Sequence, residues 1–165
     1  MMRRGRLKEF TIDYLIIVGY LVGLFVIAMA CYYLAFQGMP EMTSGQSQLI
    51  ATVSTVIPAI VVFSVLDYRK PFGTYGKRKA GLKVKYETYA YWRSLVRNII
   101  KFLPWQLAHM GVIAGMYTNF ETTSSMVLVY TSMALAVLLL GMVFFRKDGR
   151  HLGDMFAGTQ VVHIK

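Results

Sequence analysis

The sequence predicts an all-α membrane protein: four transmembrane helices with a small cytoplasmic β-ribbon and a short amphipathic helix beneath them. Three observations carry that prediction. Of 165 residues, 56% are hydrophobic and the mean hydropathy is +0.48, which leaves too little polar surface to coat a soluble globule. All 18 Lys and Arg residues lie in three segments, 1–13, 67–101 and 146–165. The two stretches between them each hold a pair of apolar runs split by a short loop, so basic segments alternate with helix pairs as the positive-inside rule requires.

That topology accounts for the net charge of +10 without nucleic acid as a partner. The expected partners are the lipid bilayer, with anionic headgroups on the cytoplasmic face, and further copies of the chain or another membrane protein. The lone cysteine, Cys31, lies inside the first run, so neither an intramolecular disulfide nor a cysteine metal site is expected.

The length fits one domain, 1–165, with cytoplasmic segments 1–13, 67–94 and 146–165. The first run, 14–36, crosses a hydrocarbon core of roughly 30 Å with some tilt. It is too long for a cleavable signal, and Gln37, Gly38, Met39 and Pro40 lack a small-x-small cleavage pattern. The second run, 48–66, carries Thr52, Ser54, Thr55 and Pro58, which suits a helix packed against neighbours and kinked at the proline. Asn98, Lys101, Pro104, Gln106 and His109 interrupt the third run, 95–117. An even number of crossings requires it, because three spans would leave the basic carboxyl tail outside.

The fourth run, 126–145, is nearly all aliphatic and ends at Arg146 and Lys147. Both termini are therefore expected in the cytoplasm of a multi-pass cell-membrane protein. Tyr32, Tyr33 and Tyr117 fall where outer-boundary aromatic anchors belong. Gly19 with Gly23, and Gly111 with Gly115, have the spacing that lets helices approach closely.

The basic segments have patterns of their own. In GTYGKRKAGLKVKYE, glycines at 73, 76 and 81 punctuate a turn, and Leu82, Val84 and Tyr86 alternate with lysines as a short strand does. In GRHLGDMFAGTQVVHIK, Leu152, Met155 and Phe156 share a helical face, Gly158 is a stop, and the residues from Thr159 are β-prone. The two strands are expected to pair, since a lone strand leaves its backbone unpartnered. A Walker A loop is excluded, because Pro71 stands at its first glycine position and Arg78 at its Ser/Thr position. Surface charge towards headgroups suffices for Lys77, Arg78, Lys79, Lys83 and Lys85.

Three pieces of the chain resemble the RDD family of small membrane proteins, named for an arginine and two aspartates. In RLKEFTIDYLII, Arg6 stands seven residues before Asp13, as the family's arginine and first aspartate do. GTYGKRKAGLKV looks like the family's glycine and lysine turn before a strand, through Gly76, Lys77 and Gly81. HLGDMFAGTQVV matches the second aspartate at Asp154 and the small-residue turn at Gly158 and Thr159. Arg93 and Arg97 fit the arginine-bearing entry to the following helix. The family usually shows two or three recognised spans against the four counted here. The resemblance implies a fold and a set of key residues, together with suspected transport of no shared substrate.

On one continuous helix Arg6 and Asp13 share a face about 10 Å apart, too far for a direct pair. The expected partners are Asp154 for Arg6, and Arg93 or Arg97 for Asp13. Such pairs clamp loops to the bundle, or they line a path on which proton and cation compete for Asp13. Asn98, Lys101, Trp105 and His109 form a second, mid-membrane polar stripe, either a packing contact or a proton relay. No HExxH, GxSxG or Cys–His arrangement is present, so neither catalysis nor a cofactor nor a metal is expected. The function expected is transport of a small solute or ion, possible as proton-coupled cation exchange; the alternative is a non-transporting adaptor or regulatory subunit.

Overall fold

The computed structural model describes residues 2–164. Four helical stretches are long and apolar enough to cross a membrane: Arg3–Phe36, Ser44–Tyr68, Tyr91–Tyr117 and Thr123–Phe145. The first is the long helix α1 (Met2–Phe36), which at 1.5 Å per residue is about 52 Å long and overshoots an apolar core by several turns. The overshoot is its charged amino-terminal end, so Arg6 and Asp13 do lie on one continuous helix.

The second stretch comprises α2 (Ser44–Ala51), a π-helical turn (Thr52–Val56) and α3 (Ile57–Tyr68). Its start is capped reciprocally by Thr43 and Gln46. The expected disturbance at Pro58 takes the form of that π turn. Proline has no N–H to offer the Ser54 carbonyl, and the Tyr20 hydroxyl of α1 donates to that oxygen instead, at 2.5 Å. Ser54 and Thr55 hydroxyls also bond back to Ile50 and Ala51 carbonyls, which loosens the same turn.

Between the second and third stretches lie α4 (Tyr75–Lys79) and strand β1 (Leu82–Tyr86). A short helix therefore stands where the sequence reading placed only a turn. Thr74 caps it by accepting from the Lys77 N–H. Gly81, at φ +69°, then turns the chain into β1.

Helices α5 (Tyr91–Tyr117) and α6 (Thr123–Phe145) pack closely. Gly111 and Gly115 permit this: a Cβ on Gly111 would lie 2.9 Å from the Ser125 carbonyl, and one on Gly115 would enter the Phe120 ring. Among the described residues, nothing outside the local helix lies within 4 Å of a Cβ built on Gly19 or Gly23, so the first glycine pair makes no close contact there.

The chain ends in α7 (Leu152–Ala157), a left-handed Gly158 and strand β2 (Thr159–His163), which pairs antiparallel with β1 in the register Leu82↔His163 to Tyr86↔Thr159. Leu82, Val84 and Val161 form the ribbon's buried face. In α7 the expected apolar face is turned the other way, with Met155 and Phe156 exposed and Gly153, Asp154 and Ala157 buried. Gly153 dictates this, because a Cβ there would lie 2.6 Å from the Arg97 carbonyl, so only the small face of α7 fits against α5.

Candidate functional site

The charged residues converge at the end of the bundle that carries the ribbon. Their arrangement is a chain of alternating sign. Arg6 donates through Nη1 to Glu9 Oε2 (2.9 Å) and through Nη2 to the Gly149 carbonyl (3.0 Å). Glu9 Oε1 faces Lys77 Nζ at 3.2 Å, and the same ammonium lies 3.0 Å from Asp67. Asp67 pairs with Arg97 Nη1, and Arg97 Nε donates to Asp154 Oδ1 at 2.6 Å. Thr159 donates to that same Asp154 oxygen at 2.8 Å, which fixes the start of β2.

Asp67, Lys77 and Asp154 are 0% exposed, and Arg6, Glu9 and Arg97 no more than 3%. Ions so buried persist only when each is met by opposite charge. This chain of three cations and three anions meets that condition and ties α1, α3, α4, α5 and α7 together.

Asp13 stands beside the chain and is held by neutral donors. Its Oδ2 accepts from the Thr74 hydroxyl (2.6 Å) and its Oδ1 from the Gly76 N–H (2.8 Å). Gly76 has to be glycine here, since a Cβ would sit 2.5 Å from Asp13 Oδ1 and from the Glu9 carbonyl. Burial tends to raise the Asp154 pKa, but the Arg97 guanidinium holds it well below the usual carboxylate range. Burial pushes His151 down to about 4 even with Asp154 at 3.4 Å.

Both expected pairings are thus corrected. Arg6 meets Glu9, three residues on along its own helix, and Asp154 is taken by Arg97. Among the described residues Asp13 meets no arginine, because α4 and its cap cover it with Gly76 and Thr74. Arg93 is peripheral: its Nη1 donates to the Ala157 carbonyl at 3.0 Å and approaches Glu87 at 3.9 Å. It lies where a side chain on Gly158 would have to be.

Glu9, Asp67 and Thr74 also belong to the site, outside the residues that the sequence singles out. The signals were present: Glu9 is one turn from Arg6, Asp67 closes the second apolar run, and Thr74 has capping spacing to Lys77.

The expected mid-membrane stripe divides in three. Asn98 donates to the Ser94 carbonyl and towards Asp67, joining the charged chain. Lys101 Nζ lies 4.5 Å from the centre of the Phe63 ring. The Trp105 indole N–H donates to His109 Nε2 at 3.0 Å; indole can only donate, so the ring proton of His109 belongs on Nδ1, 3.5 Å from Thr55 Oγ1.

The fold and this site define a class, a mostly helical membrane-type protein whose charged end is locked by a buried ion-pair chain. The RDD family model matches residues 4–158, and the chain belongs to the RDD family. No curated protein and no solved structure matches it.

Proposed function

We propose that this chain is a multi-pass protein of the cell membrane that moves a small solute or ion, with both termini, the ribbon and the ion-pair chain on the cytoplasmic side and no covalent catalysis. The observation that carries this reading is a polar seam along the α2–α3/α5 interface. Ser47 meets the Tyr117 hydroxyl at 2.8 Å, Gln106 donates to Thr52 at 3.0 Å, and Thr55 faces His109. Nearer the charged end, Ser94 donates to the Ser64 carbonyl at 2.8 Å and Arg97 pairs with Asp67. Only the cluster of Val56, Ala59, Phe63 and Phe102 interrupts this sequence of contacts among the described residues, with the two rings edge to face at 5.1 Å. Polar groups at membrane depth are costly, and a π turn beside them supplies a place where the helix can rearrange.

In this reading Asp13 and Asp154 are anchors rather than exchanging carboxylates, because their oxygens are taken by fixed donors. His109 is the proton-binding candidate, and the Phe63–Phe102 pair is the barrier. At 18.7 kDa one copy offers thin walls, so transport favours a homo-oligomer.

Reconstituted protein under a proton gradient, with Na+, K+ and Li+ supplied in turn, provides the test. Flux that loses its pH dependence in His109→Gln and rises in Phe102→Ala supports transport. Folded wild-type protein that moves none of the tested ions argues against it. The rival reading, an adaptor docked on another membrane protein, is favoured by one observation, the exposed Met155 and Phe156 on a rigidly anchored α7. A co-purifying partner lost on Phe156→Ser, without flux, supports that reading.

A further inference from the structure

We infer that a cavity between α1, α5 and α6 binds the anionic head of a membrane amphiphile, with its hydrocarbon chain laid against α6. The cavity exists because α1 meets the bundle mainly through its charged end, against α4, and leaves a gap beside α5 and α6. Its volume of about 370 Å³ falls in the range of small-molecule sites.

One end of the cavity is cationic. Arg6, Arg97 and Lys101 line it with Glu9 and His151. Glu9 offsets Arg6 and Lys77, to which its two oxygens are matched, and makes no ion pair with Lys101. Arg97 is likewise matched to Asp67 and Asp154.

Two donors remain. Arg6 is buried with its Nε unpartnered, because Nη1 and Nη2 go to Glu9 and the Gly149 carbonyl. Lys101 Nζ makes neither an ion pair within 4 Å nor a hydrogen bond among the described residues; Asp13 and Glu9 act on it only at longer range, and it lies against the faces of Phe63, Phe102 and Phe10. A buried guanidinium N–H without an acceptor is costly, a partly buried ammonium without an ion-pair partner less so, and an anionic oxygen in the cavity would satisfy both.

The remaining wall is apolar, with Pro104, Ala108, Ala136, Leu139 and Leu140 among its members. A free inorganic anion would leave that wall unused, and a zwitterionic or cationic head would meet the unpaired ammonium. A second recess of about 450 Å³ shares Arg6 and Val143 with the first and adds Arg3, Arg4, Arg146 and Lys147. This gives an anion a positive approach from the charged end. A carboxylate or phosphate head on an acyl chain fits the whole, whether it comes from a free fatty acid or from an anionic phospholipid. The site is independent of transport and stands whether or not the protein carries flux.

Trp105 lines the cavity and is one of two tryptophans, so Trp92→Phe leaves a single reporter at the site. The full-length Trp92→Phe protein in detergent would be titrated with chain-brominated fatty acid, brominated anionic phospholipid, brominated choline phospholipid and brominated fatty alcohol. Saturable quenching by one or both anionic amphiphiles, and not by the alcohol or the choline lipid, is the expected result; whichever anionic arm responds identifies the source. Adding Lys101→Gln should weaken that binding about tenfold, and Lys101→Arg should preserve it. Equal quenching by alcohol and anion would overturn the inference, as would an unchanged affinity in a Lys101→Gln protein of normal thermal midpoint. If Lys101→Gln does not fold, the headgroup series on the Trp92→Phe protein decides alone.

Discussion

Asp154 shows how much a single side chain carries in this fold. It receives Arg97 and Thr159 on one oxygen and stands opposite His151 with the other, all without exposure to solvent. Asp154→Asn leaves Arg97 buried with half its counter-charge, and loss of a buried partner of this kind costs about 3 to 5 kcal/mol. The thermal midpoint in detergent should fall steeply. Asp148→Asn breaks an exposed pair with Arg146 but keeps an oxygen that can accept from the Arg150 N–H, and should leave the midpoint nearly unchanged. His151 sets the response to acid. Its folded pKa of about 4 lies below the ordinary 6.5, so the unfolded chain takes up a proton that the folded one refuses. Its contribution is therefore complete above pH 6.5 and lost as pH falls towards 4, a change of about 3 kcal/mol. Asp154 adds loss of the same sign at still lower pH. Midpoints measured from pH 7 to 4 should fall, and His151→Gln should flatten that slope.

Among the elements, glycine separates contacts that look alike in sequence. Gly111 and Gly19 each begin a GxxxG spacing, yet only Gly111 faces a neighbouring backbone. Gly111→Ala should lower the thermal midpoint by the equivalent of about 1 to 3 kcal/mol through forced separation of α5 and α6. Gly19→Ala, with open space around it, should be neutral or slightly stabilising. The ribbon was legible because Leu82 and Val84 alternate with lysines and because β2 follows a helix stop. α4 was not legible, since five residues of GTYGKRKA make no periodic pattern and the helix depends on the Thr74 cap and on Asp13 accepting from Gly76. The outward face of α7 was also hidden, because Gly153 against the Arg97 carbonyl, not hydrophobicity, determines which side packs.

For the whole molecule, four crossings predict that residues at the two ends of the bundle are reached from opposite sides of the membrane. In a Cys31→Ser background, a cysteine at Thr122 should react with an impermeant reagent from outside intact cells. One at Lys147 should react only after permeabilisation. Labelling of both from outside would reject the four-span topology. The sequence by itself determined the four membrane-length helices, the segregation of basic residues and the paired strands, because these depend on composition and periodicity along the chain, and its resemblance to the RDD family pointed to most of the motif residues. Only the tertiary structure decided which charges pair, because the choice depends on which helices meet. Arg6 finds Glu9 within its own helix, Arg97 bridges Asp67 and Asp154 from α3 and α7, and Asp13 is claimed by α4. The same packing left Lys101 without an ion pair among the described residues, beside an amphipathic cavity, where the next question about this protein lies.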